Sequence, residues 1–179
     1  AISGGKERIR NYFQLKETIP EENTDLWHFA ESIHKRKSDI YRDRLIAGHI
    51  QLRPGVKRLI DDAIENKIIL SIATSSSQKN VETLLKNALG ENAMSIFSVV
   101  VTSDTVEDKK PSPAVYQMVL SELGLSAENC IAIEDTYNGN RAANSANLKT
   151  VITTHLYTHD DDFSNASLVV DQLGENENP

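Results

Sequence analysis

The sequence predicts an α/β protein, a parallel sheet covered by helices, with an all-helical module in front of it. Three observations predict it. After Arg53 helical patterns alternate with short apolar runs rich in β-branched residues, and near-continuous apolar strands separated by single helices are what a parallel sheet buried on both faces requires. Before Leu52 the apolar residues recur at helical spacing, and few strands can be placed. Hydroxyls, lysines and paired carboxylates stand directly after the apolar runs, where open parallel sheets hold their ligands.

The elements follow in order. Lys6 to Leu15 carries Ile9, Tyr12 and Phe13 at helical spacing, and a second helix runs from about Thr24 to Ala47 with Leu26, Phe29 and Ile33 on one face. Asn23, Thr24 and Asp25 are N-cap candidates for it, and Gly48 is placed to end it. Arg53-Pro54-Gly55 marks the change of texture. Beyond it the helix Val56 to Asn66 leads into the strand Ile68 to Ala73, and Gln78 to Asn87 into Ile96 to Val101. Pro113 to Leu123 then leads into Cys130 to Ile133, Gly139 to Asn147 into Thr150 to Thr153, and Leu168 to Val170 closes the series. The expected organisation is a helical module at 1–50, an α/β core at 51–173 and a polar tail at 174–179 that frays.

Composition narrows the function. The chain has 179 residues, enough for one domain or one domain plus a small appendage, and 39% hydrophobic residues, enough for a core. Its 19 Lys+Arg against 26 Asp+Glu give a net charge of −7, which repels nucleic-acid backbones and anionic membranes at long range. A small phosphorylated substrate stays open, because a few local cations can hold it. The longest apolar stretches are far short of the roughly 20 residues of a membrane span. Cys130 is the single cysteine, so no internal disulfide forms; a structural thiol and a reducing, intracellular compartment are expected. The opening Ala-Ile-Ser-Gly-Gly-Lys has neither an initiator Met nor a secretory pattern, and the reading is that the chain begins inside a longer one. Oligomeric state has no sequence signal.

The chemistry lies after the strands. Thr74, Ser75, Ser76 and Ser77 precede a helix N-terminus, where hydroxyls either cap the helix or, with its free N–H groups, bind phosphate oxygens. Thr74, nearest the strand, is the best phosphate candidate. Lys110 stands in Asp108-Lys109-Lys110-Pro111-Ser112-Pro113; the prolines stiffen the loop, and a fixed ammonium there neutralises phosphate charge. Glu134 and Asp135 end a buried run, and adjacent carboxylates there call for a cation such as Mg²⁺. His155 and His159, beside three aspartates, read as a solvated loop, and His28 and His34 fall on different faces of one helix.

Ile72-Ala73-Thr74-Ser75, Lys110-Pro111-Ser112-Pro113-Ala114-Val115-Tyr116 and Ile133-Glu134-Asp135-Thr136-Tyr137-Asn138-Gly139 resemble, in order and placement, the second, third and fourth motifs of haloacid-dehalogenase-superfamily phosphatases. The likeness runs from about Gln51 to Leu173. Gly4-Gly5-Lys6-Glu7-Arg8-Ile9 further resembles the helical cap of the CbbY-like subgroup, whose members dephosphorylate sugar phosphates, notably xylulose-1,5-bisphosphate. The resemblance implies a Rossmann-like core with a partial helical cap, and a Mg²⁺-dependent phosphatase working through an aspartyl-phosphate. It implies that Thr74 holds the transferring phosphoryl group and that Lys110 bridges it to the nucleophile. Asp135 with Glu134 would bind Mg²⁺, Lys6 and less firmly Arg8 would reach from the cap toward the sugar, and Ser75, Ser76 and Asn138 would line the pocket. Arg53-Pro54-Gly55 would be the cap hinge. The same core also serves β-phosphoglucomutase-like mutases and inactive binding relatives. The compartment it suggests is cytoplasm or plastid stroma.

Two departures stand out. The family carries an Asp-x-Asp-Gly-Thr motif at the end of a first core strand, whereas Asp25, Asp39 and Asp43, the only aspartates before the junction, are in helical context and none is followed by Gly-Thr. That strand would lie between those ending at Thr74 and Ile133, so the resemblance implies two unpaired inner edges, a slot, poor stability and no turnover by these residues alone. Asn147 also stands where a Gly is usual near the end of the fourth-motif helix.

Overall fold

The computed structural model describes residues 4–16 and 25–174. Helices α1 (Gly5–Lys16) and α2 (Leu26–Ile46) pack as a pair, with the Phe13 and Phe29 rings edge to face at 5.2 Å. Asp25 caps α2, accepting from the backbone N–H of Trp27 at 2.9 Å; Asn23 and Thr24, the other cap candidates, lie outside the described residues, as do 175–179 of the tail. Gly48, at φ +69°, follows the helix end. The C-terminal end of α2 leans on the core, where Asn87 donates to the Leu45 carbonyl.

The core alternates as its periodicity predicts. Helix α3 (Val56–Glu65) leads to β1 (Ser71–Ala73), α4 (Gln78–Leu89) to β2 (Val99–Val101), and α5 (Ala114–Leu123) to β3 (Ile131–Glu134); α6 (Tyr137–Ser145), β4 (Lys149–Thr153) and β5 (Leu168–Val170) complete it. All pairings are parallel, but they form two sheets: β1 beside β2, and β3-β4-β5. Among the described residues no strand pairs with the second edge of β1 or of β3. Those two edges flank the place where the resemblance puts a further strand.

One helix layer spans both sheets. Val99 and Val101 of β2, Ala132 of β3, Val115, Tyr116 and Val119 of α5, and Ala142 and Ala143 of α6 form a single buried cluster, with Cys130 packed against it. The opposite face is barer than the sequence suggests. Ile131 and Ile133 are 59% and 47% exposed, so the run read as buried on both sides alternates instead, with Ala132 and Glu134 inside. Ile68 and Ile69, expected in the first strand, lie outside it and are exposed, because the ladder with β2 begins only where Ser98 N–H donates to the Leu70 carbonyl. Asn147 takes φ +62° after α6, the left-handed conformation that glycine usually supplies and asparagine tolerates. No helix among the described residues is long and apolar enough to cross a membrane.

Candidate active site

The expected residues converge at the carboxyl rim of the strands, on either side of the slot. Lys110 joins the two sides. Its Nζ donates to the Ala73 carbonyl at 2.9 Å, at the end of β1, and pairs with the Glu134 carboxylate at the end of β3. The Glu134 side chain is buried, 7% exposed, and that of Lys110 mostly covered, 13% exposed. Lysine is rarely buried unless paired, and here the pair also meets Tyr116, whose hydroxyl donates to Glu134 and accepts from Lys110 at 3.3 Å. Burial, and then the adjacent Glu134 charge, raise the Tyr116 phenol far above its ordinary pKa and keep it a donor. The Lys110–Pro111 peptide is cis.

Thr74 follows directly on Ala73. Its N–H donates to the Val101 carbonyl at 3.0 Å, and its Oγ1 accepts from the Ser76 N–H at 3.0 Å, which turns the loop back over the rim. The serines do not cap α4: Ser77 makes no side-chain cap bond, and Asp104, from the loop after β2, accepts from the Gln78 N–H at 2.8 Å instead. The capping reading of these hydroxyls therefore fails, since a carboxylate from another loop suits the positive helix end better.

Asp135 is the more open of the two carboxylates. Its side chain is 52% exposed, with Oδ2 3.7 Å from His155 Nε2. Partial burial, and then the neighbouring Glu134 charge, raise its pKa, while His155, Lys110 and Arg53 pull it back down. Glu134 folds over the first turn of α6, where a Cβ at Gly139 would lie 1.8 Å from its Oε2 and would push the carboxylate out of its pairing with Lys110. Thr136 caps that helix, accepting from the Gly139 N–H at 3.0 Å. Asn138 Oδ1 is buried without a hydrogen-bond partner, and the residue lines the cleft.

The cleft, about 1640 Å³, runs from this rim to the helical pair. Ser75, Ser76, Lys110 and Asn138 line it from the core, and Arg8, His34 and Arg42 from the helices. Lys6 is not among its lining residues; it pairs with Glu31 of α2, so the geometry favours Arg8 of the two cations named from the opening motif. His34, packed against Gly5, has its pKa lowered by burial and then by nearby Lys37 and Lys6, so it is neutral at physiological pH. Sequence reasoning set His34 and His155 aside and gave Tyr116 no role of its own. Only Tyr116 left a signal, its place six residues after Lys110, and nothing in the spacing placed His155 opposite Asp135.

The model for haloacid dehalogenase-like hydrolases matches residues 5–153. The chain belongs to that family. It is 37% identical over 178 residues to the plasmid protein CbbY of Cupriavidus necator, covering 99% of this chain and 70% of that one. It is 33% identical to a CBBY-like protein of Arabidopsis thaliana, of which it spans 55%. The crystal structure of CbbY from Rhodobacter sphaeroides in complex with phosphate superposes with a TM-score of 0.81 at 35% identity, covering 97% of this chain and 75% of that one. A mutant of that protein has been crystallised in complex with xylulose-(1,5)bisphosphate, and matches with a TM-score of 0.82. The α/β, Rossmann-like architecture is thus that of the superfamily's phosphatases, and this chain is a CbbY-like member of it.

Proposed function

We propose that the chain forms the phosphate-handling rim and helical cap of a Mg²⁺-dependent sugar-phosphate phosphatase whose nucleophilic aspartate lies outside these 179 residues, on a strand seated between β1 and β3. The supporting observation is Lys110: a buried ammonium at the mouth of the slot, bonded to the residue before Thr74 on one side and to the residue before Asp135 on the other. A strand seated there would end beneath that ammonium. An aspartate at its tip would attack phosphorus as the bond to the sugar oxygen breaks, the sugar leaving as its protonated alcohol, and water would then cleave the acyl phosphate to inorganic phosphate and the free carboxylate. Lys110 would hold the nucleophile and a phosphoryl oxygen together, and the Thr74 hydroxyl with the Ser75 amide would take the remaining oxygens.

The donor set fits Mg²⁺ in part. Asp135 is an outward-facing carboxylate with a raised pKa, which a divalent cation would relieve. Glu134 is engaged by Lys110 and Tyr116, so it would stand behind Asp135 unless that pair loosens. Among the described residues no third acidic or histidine ligand completes the set, which leaves room for the nucleophile's own carboxylate, phosphate and water. When bound, the ion would neutralise charge on the transferring group. Asn138 Oδ1, lacking a partner, would accept from a substrate hydroxyl or an ordered water.

The substrate we propose is a small sugar phosphate, with xylulose-1,5-bisphosphate as the leading candidate because a near neighbour was crystallised with it and because Arg8 and Arg42 line the far wall of the cleft. The test is phosphate release from a sugar-phosphate panel, with Mg²⁺, by the encoded protein carrying the slot strand. Release that is lost in Asp135→Ala supports the reading. Isomerised sugar phosphate without free phosphate would identify a mutase, and no turnover a binding protein; either outcome defeats it.

A further inference from the structure

The geometry points to Arg53 as a positioning residue whose guanidinium locks the linker between the helical pair and the sheets onto the loop carrying His155, and so fixes the point about which the helical pair turns. Its Nη1 donates to the Thr153 carbonyl at 3.0 Å and to Thr153 Oγ1 at 2.9 Å. Its Nη2 donates to the Thr154 carbonyl at 2.6 Å and to the Asp171 carbonyl at 3.0 Å. Four acceptors are thus gathered from the residues that end β4 and follow β5. Thr153 is buried, and two residues on His155 meets Asp135.

The neighbourhood shows why this place is fixed. Gly55 has φ +79°, and a Cβ there would lie 2.2 Å from the Gly174 carbonyl, so residues 173–174 lie directly on the linker. Arg58 holds the same segment, donating to the Leu173 carbonyl at 2.7 Å while pairing with Asp62. On the other side of Arg53, Gly48 ends α2 at φ +69° with open space where a Cβ would sit, and the last turn of α2 rests on α4 where Asn87 donates to the Leu45 carbonyl. Only a planar fork with five donors can serve these acceptors at once; a lysine ammonium cannot.

This inference does not depend on the phosphatase reading, and its test needs no turnover. Spin labels at Lys35→Cys on α2 and Glu122→Cys on α5, both exposed, in a Cys130→Ser background, report the distance between the helical pair and the core by pulsed electron resonance. The clamped chain should give one narrow distribution. Arg53→Ala should lose it for a broad one while the far-UV circular dichroism stays unchanged, and Arg53→Lys should be broadened in the same direction, which keeps the test usable if the alanine variant does not fold. Arg58→Ala, which removes one bond to the C-terminal segment but leaves the four bonds of Arg53 in place, should keep the narrow peak. A folded Arg53 variant as narrow as its parent, or an Arg58→Ala variant broadened as much as Arg53→Ala, overturns the assignment.

Discussion

Replacing Lys110 by Met tests the bridge over the slot directly. Methionine keeps the stem's packing and removes the ammonium, so the change isolates the charge. In the parent, Glu134 is 7% exposed on its side chain and holds Lys110 and the Tyr116 hydroxyl. In the variant it keeps the hydroxyl and a 3.4 Å contact from the Asp135 amide. Removing one partner of a buried pair costs about 3–5 kcal/mol. The surviving hydroxyl donor puts Lys110→Met near the lower end, about 3 kcal/mol, or about 6–12 °C in melting temperature for a chain of this size. Urea unfolding at neutral pH measures it. The double variant Lys110→Met with Glu134→Gln should recover part of the loss, since no buried charge is then left alone. A cost below about 1 kcal/mol, the range of exposed pairs, or no recovery in the double variant, would refute the picture of a buried, charge-paired bridge.

Three further outcomes follow from the same geometry. Tyr116→Phe removes a hydroxyl donor to a buried carboxylate and should lower stability by about 1.5–3 kcal/mol in chemical denaturation, with little effect in a Glu134→Gln background. Asp135→Asn should raise the melting temperature of the metal-free chain at neutral pH, because burial and the Glu134 charge penalise the ionised form; with a raised folded pKa that penalty is full above it and disappears as pH falls through it toward the unfolded value, so parent and variant should converge in acid. The same variant should weaken Mn²⁺ binding measured by electron resonance. Asn147→Ala, at φ +62°, should cost about 1 kcal/mol in thermal unfolding, whereas Asn147→Gly should be close to neutral.

The elements were legible because each is written as a period: apolar residues at helical spacing in α1 and α2, and runs such as Ile131 to Ile133 and Val99 to Val101 for the strands. The placement of Thr74, Lys110 and Asp135 on one rim was legible for a topological reason, since parallel strands all deliver their next residue to the same edge. What failed was burial. A run of isoleucines looks the same whether one face or both are covered, so the exposure of Ile131 and Ile133 had to come from the arrangement of helices. Cross-chain pairings were likewise invisible. Asp104 capping α4, Glu31 taking Lys6, and His155 facing Asp135 join residues far apart in sequence, and nothing in local composition marks them. Arg53 is the clearest case, a charged residue in a turn whose acceptors lie about a hundred positions away.

The helix layer beneath the slot has a mechanical consequence. With no backbone ladder joining β1 to β3, the two halves are coupled through α5 and the side chains it shares with β2, β3 and α6, much as a keel holds two planks. Denaturation should therefore show one concerted transition, and amides on α5 should be the last to exchange with solvent. Weakening Val115 or Val119 should split that transition in two, whereas trimming the exposed isoleucines on the far side should not.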